Sequence, residues 1–209
     1  MAQLLRIDSS PRGDRSVSRS LTQDFVTEWQ SKHPDGEVTY RDLGHNPPSF
    51  VTENSIAAAF SAPSSHTPEQ AAAIQESNQL VDEFLTADYY VIGVPMYNFS
   101  IPAVMKAYID QIVRVGRTFA IDENGYKGLV QGKQLLIIAS QGGDYSEGSP
   151  AQSYDMQIPY LKLILGFMGI TDVAVVTAGN LMAGDEVRSQ SIADAQSAIR
   201  DVVSLWSAG

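Results

Sequence analysis

The 209-residue chain contains no cysteine, which excludes a disulfide framework, a thiolate nucleophile and a sulfur-ligated metal. Histidine is nearly as scarce. His33, His45 and His66 stand singly in polar segments, with no spacing that would assemble a metal site, and none is expected. Positive charge is also in deficit: 14 Lys and Arg face 24 Asp and Glu, a formal net charge of -10. A protein that reads nucleic acid through its phosphates needs the opposite balance, so no nucleic-acid partner is expected. No apolar run nears the roughly 20 residues that span a bilayer. The opening MAQLLRIDSS meets Arg6 and Asp8 before any long apolar stretch, unlike a secretory leader. A cytoplasmic protein without membrane partners is the expectation.

What is present is the make-up of an ordinary globular protein, 44% hydrophobic and 18% charged, at a length that suits one domain over residues 1–209. Strand and helix signals alternate. Gln3–Ile7 reads as a strand, Val17 to about Lys32 as a helix, and Glu37–Arg41 as a second strand. Thr67-Pro68-Glu69-Gln70 opens one helix, with Thr67 as its cap and Pro68 in its first turn, continuing through Ile74, Leu80 and Phe84. The runs YYVIGV (89–94) and QLLIIA (134–139) are apolar throughout, as expected of strands covered on both faces. Helices follow around Met105–Val113 and Tyr160–Met168, then a strand at Asp172–Thr177 and a closing helix at Val187–Trp206. Thr118–Lys133, with Asn124-Gly125 inside it, suggests a hairpin. Asn46–His66 is too long and polar for a simple connection and reads as a lid or interface insertion. Five such alternations predict an α/β fold: a doubly wound, five-stranded parallel sheet of order 2-1-3-4-5, with helices on both faces.

In such sheets ligands bind beyond the carboxyl ends of the strands, where the strand order reverses. Three segments there carry unusual residues. Ser9–Ser18, SSPRGDRSVS, places serine hydroxyls at a helix N-terminus, a setting for an anion. It matches neither the triphosphate loop pattern nor Gly-x-Gly-x-x-Gly, and suits a single terminal phosphate better than a pyrophosphate. A capping cluster without a ligand explains the serines equally well. Pro95–Phe99, PMYNF, sets Met96, Tyr97 and Phe99 at the sheet edge, where aromatic surfaces can bracket a planar ring and Asn98 can pair with heteroatoms. Core or interface packing is the alternative. Ser140–Gly143, SQGG, offers backbone amides close to a ligand and room for positive φ, with Tyr145 as a cover, although a plain glycine turn would look the same. Together the three describe a phosphate site beside a flat, amide-rich, aromatic pocket, the shape of FMN.

These motifs resemble those of the FMN-dependent NADH:azoreductases, also called NADH:quinone oxidoreductases of the flavodoxin-like group. PMYNF with Lys106 and Asp110 is similar to that family's flavin-ring segment. So are TF…ENG…GL..GK between Thr118 and Lys133, the Ser140–Gly143 turn, and GF.GI.D from Gly166 to Asp172, all in the family's order. The resemblance implies that Ser10, Ser16, Val17 and Ser18 hold the FMN phosphate. It implies that Met96, Tyr97, Asn98, Phe99, Ser140, Gln141, Gly142 and Gly143 line the ring. It further implies a homodimer in which Phe119 and Phe167, with Tyr145, meet the substrate. Some members carry arginine where Gln141 stands, and another residue type where Tyr145 stands, which leaves the choice of acceptor and of NADH or NADPH open. The implied reaction is two-electron, ping-pong hydride transfer from NADH through FMN to quinones and azo compounds, with the cofactor rather than a protein nucleophile carrying the chemistry. A flavodoxin-type electron carrier, a flavin-free interaction domain and an NADPH-dependent flavin or chromate reductase are the alternatives.

Overall fold

In the computed structural model, which describes residues 1–207, the chain begins with β1 (Gln3–Asp8), α1 (Val17–Lys32) and β2 (Glu37–Asp42). It continues through α2 (Glu53–Ala59), α3 (Pro68–Ala73), α4 (Gln75–Thr86), β3 (Tyr89–Pro95) and α5 (Ala103–Ile112). A two-stranded hairpin, β4 (Phe119–Asp122) and β5 (Gly125–Gly128), precedes β6 (Gln134–Ser140), α6 (Ile158–Met168), β7 (Asp172–Ala178) and α7 (Asp185–Trp206). The main sheet has five strands in the order β2-β1-β3-β6-β7, every pair parallel. With the separate hairpin set aside, this is the expected 2-1-3-4-5 arrangement.

The unbroken apolar runs are explained by burial on two sides. Alternate residues of a strand point to opposite faces. Leu5, Ile7, Tyr90, Ile92, Leu135 and Ile137 therefore join the core beneath α4, α5 and α6. Their neighbours Leu4, Val91, Leu136 and Ile138 join a second core beneath α1 and α7, built around Phe25, Trp29, Ile199 and Trp206. A half-solvated strand would have alternated with polar residues; these could not.

Two expectations need correction. The helix opened by Thr67 is not continuous. Its cap forms, with reciprocal bonds between Thr67 and Gln70, but the helix breaks at Ile74, whose amide bonds back to Ala72 and Gln70 in a tightened turn. That turn sends the buried Ile74 side chain inward before α4 begins. The Asn46–His66 insertion also contains regular structure, namely α2, started by a capping box between Thr52 and Ser55. The Thr-x-x-Ser spacing carried that signal, and the small, weakly amphipathic sequence after it concealed the helix.

Candidate functional site

The reversal in strand order falls between β1 and β3, and the segments that follow these strands meet there. Backbone bonds tie the edge together. Ser9 donates both its amide (3.1 Å) and its hydroxyl (2.9 Å) to the Gly93 carbonyl, and the Met96 amide donates to Ser140 O at 2.8 Å. Gly93 is glycine for a spatial reason. A Cβ there would lie 2.5 Å from Asp8 Oδ1 and 2.8 Å from the Thr22 methyl, so only glycine lets β3 pass this close to α1.

The serine segment forms a cradle at the start of α1. Ser10, Ser16 and Ser18 are buried, with Ser16 Oγ and Ser18 Oγ 3.2 Å apart. Ser16 is the N-cap, accepting from the Arg19 amide at 3.4 Å, and Val17 is the first helical residue. Amides of a helix's first turn have no acceptor within the helix, and the positive end of the helix dipole lies there. No acidic residue occupies this first turn, whereas α7 begins with Asp185 and Glu186. Arg12, Asp14 and Arg15 are exposed beside it; together with Arg188 of α7 and Ser16 they line a cavity of about 400 Å³ in which the arginines outnumber the one carboxylate.

Beneath the cradle lies a charged cluster that the sequence did not reveal. Arg19 is nearly buried. Its Nε donates to the Ser10 carbonyl at 2.7 Å, and its two other nitrogens form a bidentate pair with the Asp42 carboxylate at the end of β2. Tyr40 Oη accepts from Arg19 at 2.7 Å, and His45 Nδ1 lies 2.8 Å from Asp42. Burial works to raise the pKa of Asp42, but the hydrogen bonds from Arg19 and His45 outweigh it and hold the carboxyl well below its usual range. Asp8, fully buried between Arg6 and Thr22, goes the other way: desolvation raises its pKa and its neighbours only partly offset this. Burial likewise pushes the Tyr40 hydroxyl up to about 12.

Beyond β3 the chain makes a tight turn closed by two bonds between Tyr97 and Ser100, of 2.9 and 3.1 Å. Both central residues are left-handed, Asn98 at φ 50° and Phe99 at φ 70°. Asparagine tolerates this region; for phenylalanine it is strained, and strain of this kind concentrates at functional sites. The turn leaves Tyr97, Asn98 and Phe99 exposed at the sheet edge, with Met96 half-buried. The Phe99 ring meets Tyr154 at 5.4 Å and Tyr145 edge-on at 6.2 Å, and its carbonyl accepts from the Met156 amide.

The Ser140–Gly143 turn differs from its expected form. Neither Gly142 nor Gly143 has positive φ; a Cβ on Gly142 would lie 3.0 Å from the sulfur of the exposed Met182, which can give way, and one on Gly143 would only touch the Tyr145 ring at 3.4 Å. The Gln141 side chain is buried and points inward, donating to Gln157 Oε1 at 3.0 Å and Asp155 at 3.3 Å. Its backbone is committed as well, the amide to the Ala178 carbonyl at 2.9 Å and the carbonyl to the Leu181 amide at 3.1 Å, which leaves the Gly142 and Gly143 amides for the cleft. Gln157, fully buried, donates in turn to the Val94 carbonyl at 2.9 Å, joining the β3 and β6 ends. Nothing in the local pattern around Gln157 marked it, because its role arises only when α6 docks beneath both strands.

Phe119 and Phe167 meet at a tilt of 51° with centroids 4.8 Å apart and form an aromatic group with Tyr126 of the hairpin, apart from the Phe99 group. A cavity of about 690 Å³ adjoins the cleft through Gln141 and Tyr145 but reaches toward α7 and includes none of Met96–Phe99. An open sheet edge is a shallow surface within one subunit. The convergence of strand ends therefore locates the site better than cavity size does.

Fold and site together define a flavodoxin-like protein: a doubly wound sheet with a serine cradle and an aromatic turn at its switch point. The family model described as a flavodoxin-like fold matches residues 2–203. The FMN-dependent NADH:quinone oxidoreductase 2 of Trichormus variabilis is 60% identical over 207 residues, covering 99% of this chain and all of that one. Among solved structures, an azoreductase from Bacillus anthracis superposes with a TM-score of 0.90 at 29% identity, over 97% of this chain and 99% of that one. An FMN-dependent NADH-azoreductase from the same species, solved in complex with FMN, gives 0.86 at 25% identity, over 97% of this chain and 100% of that one. The chain belongs to the flavodoxin-like family and, within it, to the FMN-dependent NADH:quinone oxidoreductases.

Proposed function

We propose that this protein is an FMN-dependent oxidoreductase that passes hydride from NADH to quinones and azo compounds, working as a cytoplasmic homodimer. The observation that carries the reading is the pairing, at one switch point, of a serine-lined helix N-terminus with no acidic residue in its first turn and a strained aromatic turn. These residues fit FMN in kind. Ser10, one of the two paired hydroxyls of Ser16 and Ser18, and the Val17 and Ser18 amides present uncommitted donors for a terminal phosphate. Met96–Phe99 and the backbone of Ser140–Gly143 offer a flat, amide-bearing wall for the ring, and Tyr145 stands over Gly143. Bound flavin would supply the hydride chemistry. The chain's own part is to hold the phosphate, fix the plane of the ring and present the exposed Asn98 amide to polar atoms at its edge. No protein nucleophile or general base is required.

Homodimerisation is supported by large apolar side chains left in solvent on separate elements: Phe50 and Phe60 of the insertion, Tyr126 of the hairpin and Leu163 of α6. A second subunit would bring Phe119 and Phe167 toward a neighbour's flavin. No helix among the described residues is long and apolar enough to cross a membrane.

An anaerobic visible spectrum of the FMN-loaded protein, recorded before and after NADH, tests the reading. Flavin absorbance that bleaches with NADH and returns on adding a quinone is the expected result. A spectrum that NADH leaves unchanged points to NADPH or to an electron carrier. Failure to bind FMN on reconstitution overturns the proposal.

A further inference from the structure

The Arg19 side chain reaches the cradle from within, through one of the proposed phosphate residues, Ser10, while its backbone makes the N-cap bond to another, Ser16, that any residue but proline would supply. Its amide donates to the Ser16 hydroxyl, and its Nε donates to the Ser10 carbonyl at 2.7 Å. Its own carbonyl is held in turn by Thr22 at 2.9 Å and Arg6 at 3.1 Å. The remaining guanidinium donors go to Asp42, Tyr40 and the vicinity of His45. Gly44 presses on both the Ser10 carbonyl and the Arg19 guanidinium so closely that no side chain fits. The loop is thus pinned between Arg19 and the turn after β2.

We propose that Arg19 is a positioning residue that sets the FMN phosphate cradle without contacting the phosphate, and that Asp42 cancels its charge there. The inference rests on the FMN reading of the site. Its chemical content is specific. Whatever Arg12 and Arg15 add from the rim, the oriented hydroxyls and amides of the cradle depend on Arg19, so discrimination between FMN and riboflavin depends on a residue that contacts neither. A planar guanidinium is required, because it must reach one carbonyl along Nε while gripping both oxygens of a carboxylate. A lysine ammonium keeps the charge balance with Asp42 but cannot span these acceptors.

The test is the dissociation constant of the apoprotein for FMN and, separately, for riboflavin, followed by quenching of flavin fluorescence. The wild type, Arg19→Lys, and the double variant Arg19→Met/Asp42→Asn are compared. The double variant removes both charges together, so that no partly buried ion is left alone. Thermal unfolding of each apoprotein is recorded alongside. The wild type is expected to prefer FMN by about 100-fold or more, the value of two or more hydrogen bonds to a charged phosphate. Both variants should weaken FMN binding by roughly 10-fold or more and leave riboflavin within about twofold, since the ring site is distant and independent. Equal losses for both ligands, or unchanged FMN affinity in folded variants, would overturn the proposal. A wild type that binds riboflavin as tightly as FMN would instead overturn the phosphate reading on which it rests.

Discussion

Asn98→Ala and Asn98→Gly delete the same side-chain amide but leave different backbones behind, and the pair separates chemistry from turn geometry. Asn98 is exposed and left-handed, and its amide makes no hydrogen bond to any described residue, so truncation removes no internal contact. A left-handed alanine carries a backbone cost of roughly 1–2 kcal/mol that asparagine partly avoids, which predicts a loss of about 1 kcal/mol for Asn98→Ala. Glycine escapes that cost but has about 0.5–1 kcal/mol more freedom to lose on folding, so Asn98→Gly should fall close to the wild type. In a chain of this size 1 kcal/mol moves the melting temperature by about 2–4 °C. If the amide pairs with the flavin ring, its removal forfeits one preorganised polar contact. Both variants should then lose roughly 10- to 100-fold in kcat/KM, or about 1.4–2.7 kcal/mol. Steady-state oxidation of NADH with a quinone, beside thermal unfolding of the FMN-loaded enzymes, provides the assay. Wild-type rates in Asn98→Gly with a loss confined to Asn98→Ala would show that only the turn matters and would refute the role of the amide. Wild-type rates in both would remove Asn98 from the ring site.

Two further outcomes follow from buried groups. Gln157→Leu keeps the volume but leaves the Gln141 amide with only its longer bond to Asp155. It should cost about 1–3 kcal/mol in urea unfolding and, by loosening the 140–143 turn, weaken FMN and riboflavin alike; an unchanged midpoint would show that the buried amide pair contributes nothing. Because the folded-state pKa of Asp42 is depressed, its contribution to stability is fully present above the ordinary carboxylate value of about 4 and is lost as pH falls through the depressed value. Asp42→Asn should therefore flatten the acid limb of the stability profile; a limb identical to the wild type's would locate acid sensitivity elsewhere.

The elements of this structure differ in how far local sequence specifies them. The α/β alternation, the Thr67 cap, the 118–133 hairpin and the two-sided strands were legible because each rests on local signals: periodicity, capping spacing and turn residues. The break at Ile74 and the helix after Thr52 were not, since a one-residue kink and a short, small-residue helix leave little periodic trace. At the site, the serine segment and PMYNF were conspicuous by composition alone. Arg19 and Gln157 were invisible for the opposite reason, being single polar residues inside ordinary helical sequence.

The sequence by itself determined which segments become strands and helices, the order in which they alternate, and the chemical character of the three strand ends. Those properties depend on residues within one turn or one strand of each other. The tertiary structure alone decided that Gln141 turns its side chain inward and that Asn98 and Phe99, rather than the paired glycines, carry the left-handed backbone. It also decided that Arg19 spans Ser10 and Asp42, positions 9 and 23 residues away from it. Burial is the reason. A polar group taken out of water must find a partner wherever the packed chain offers one, and that partner is set by which elements meet, not by which residues are neighbours in sequence.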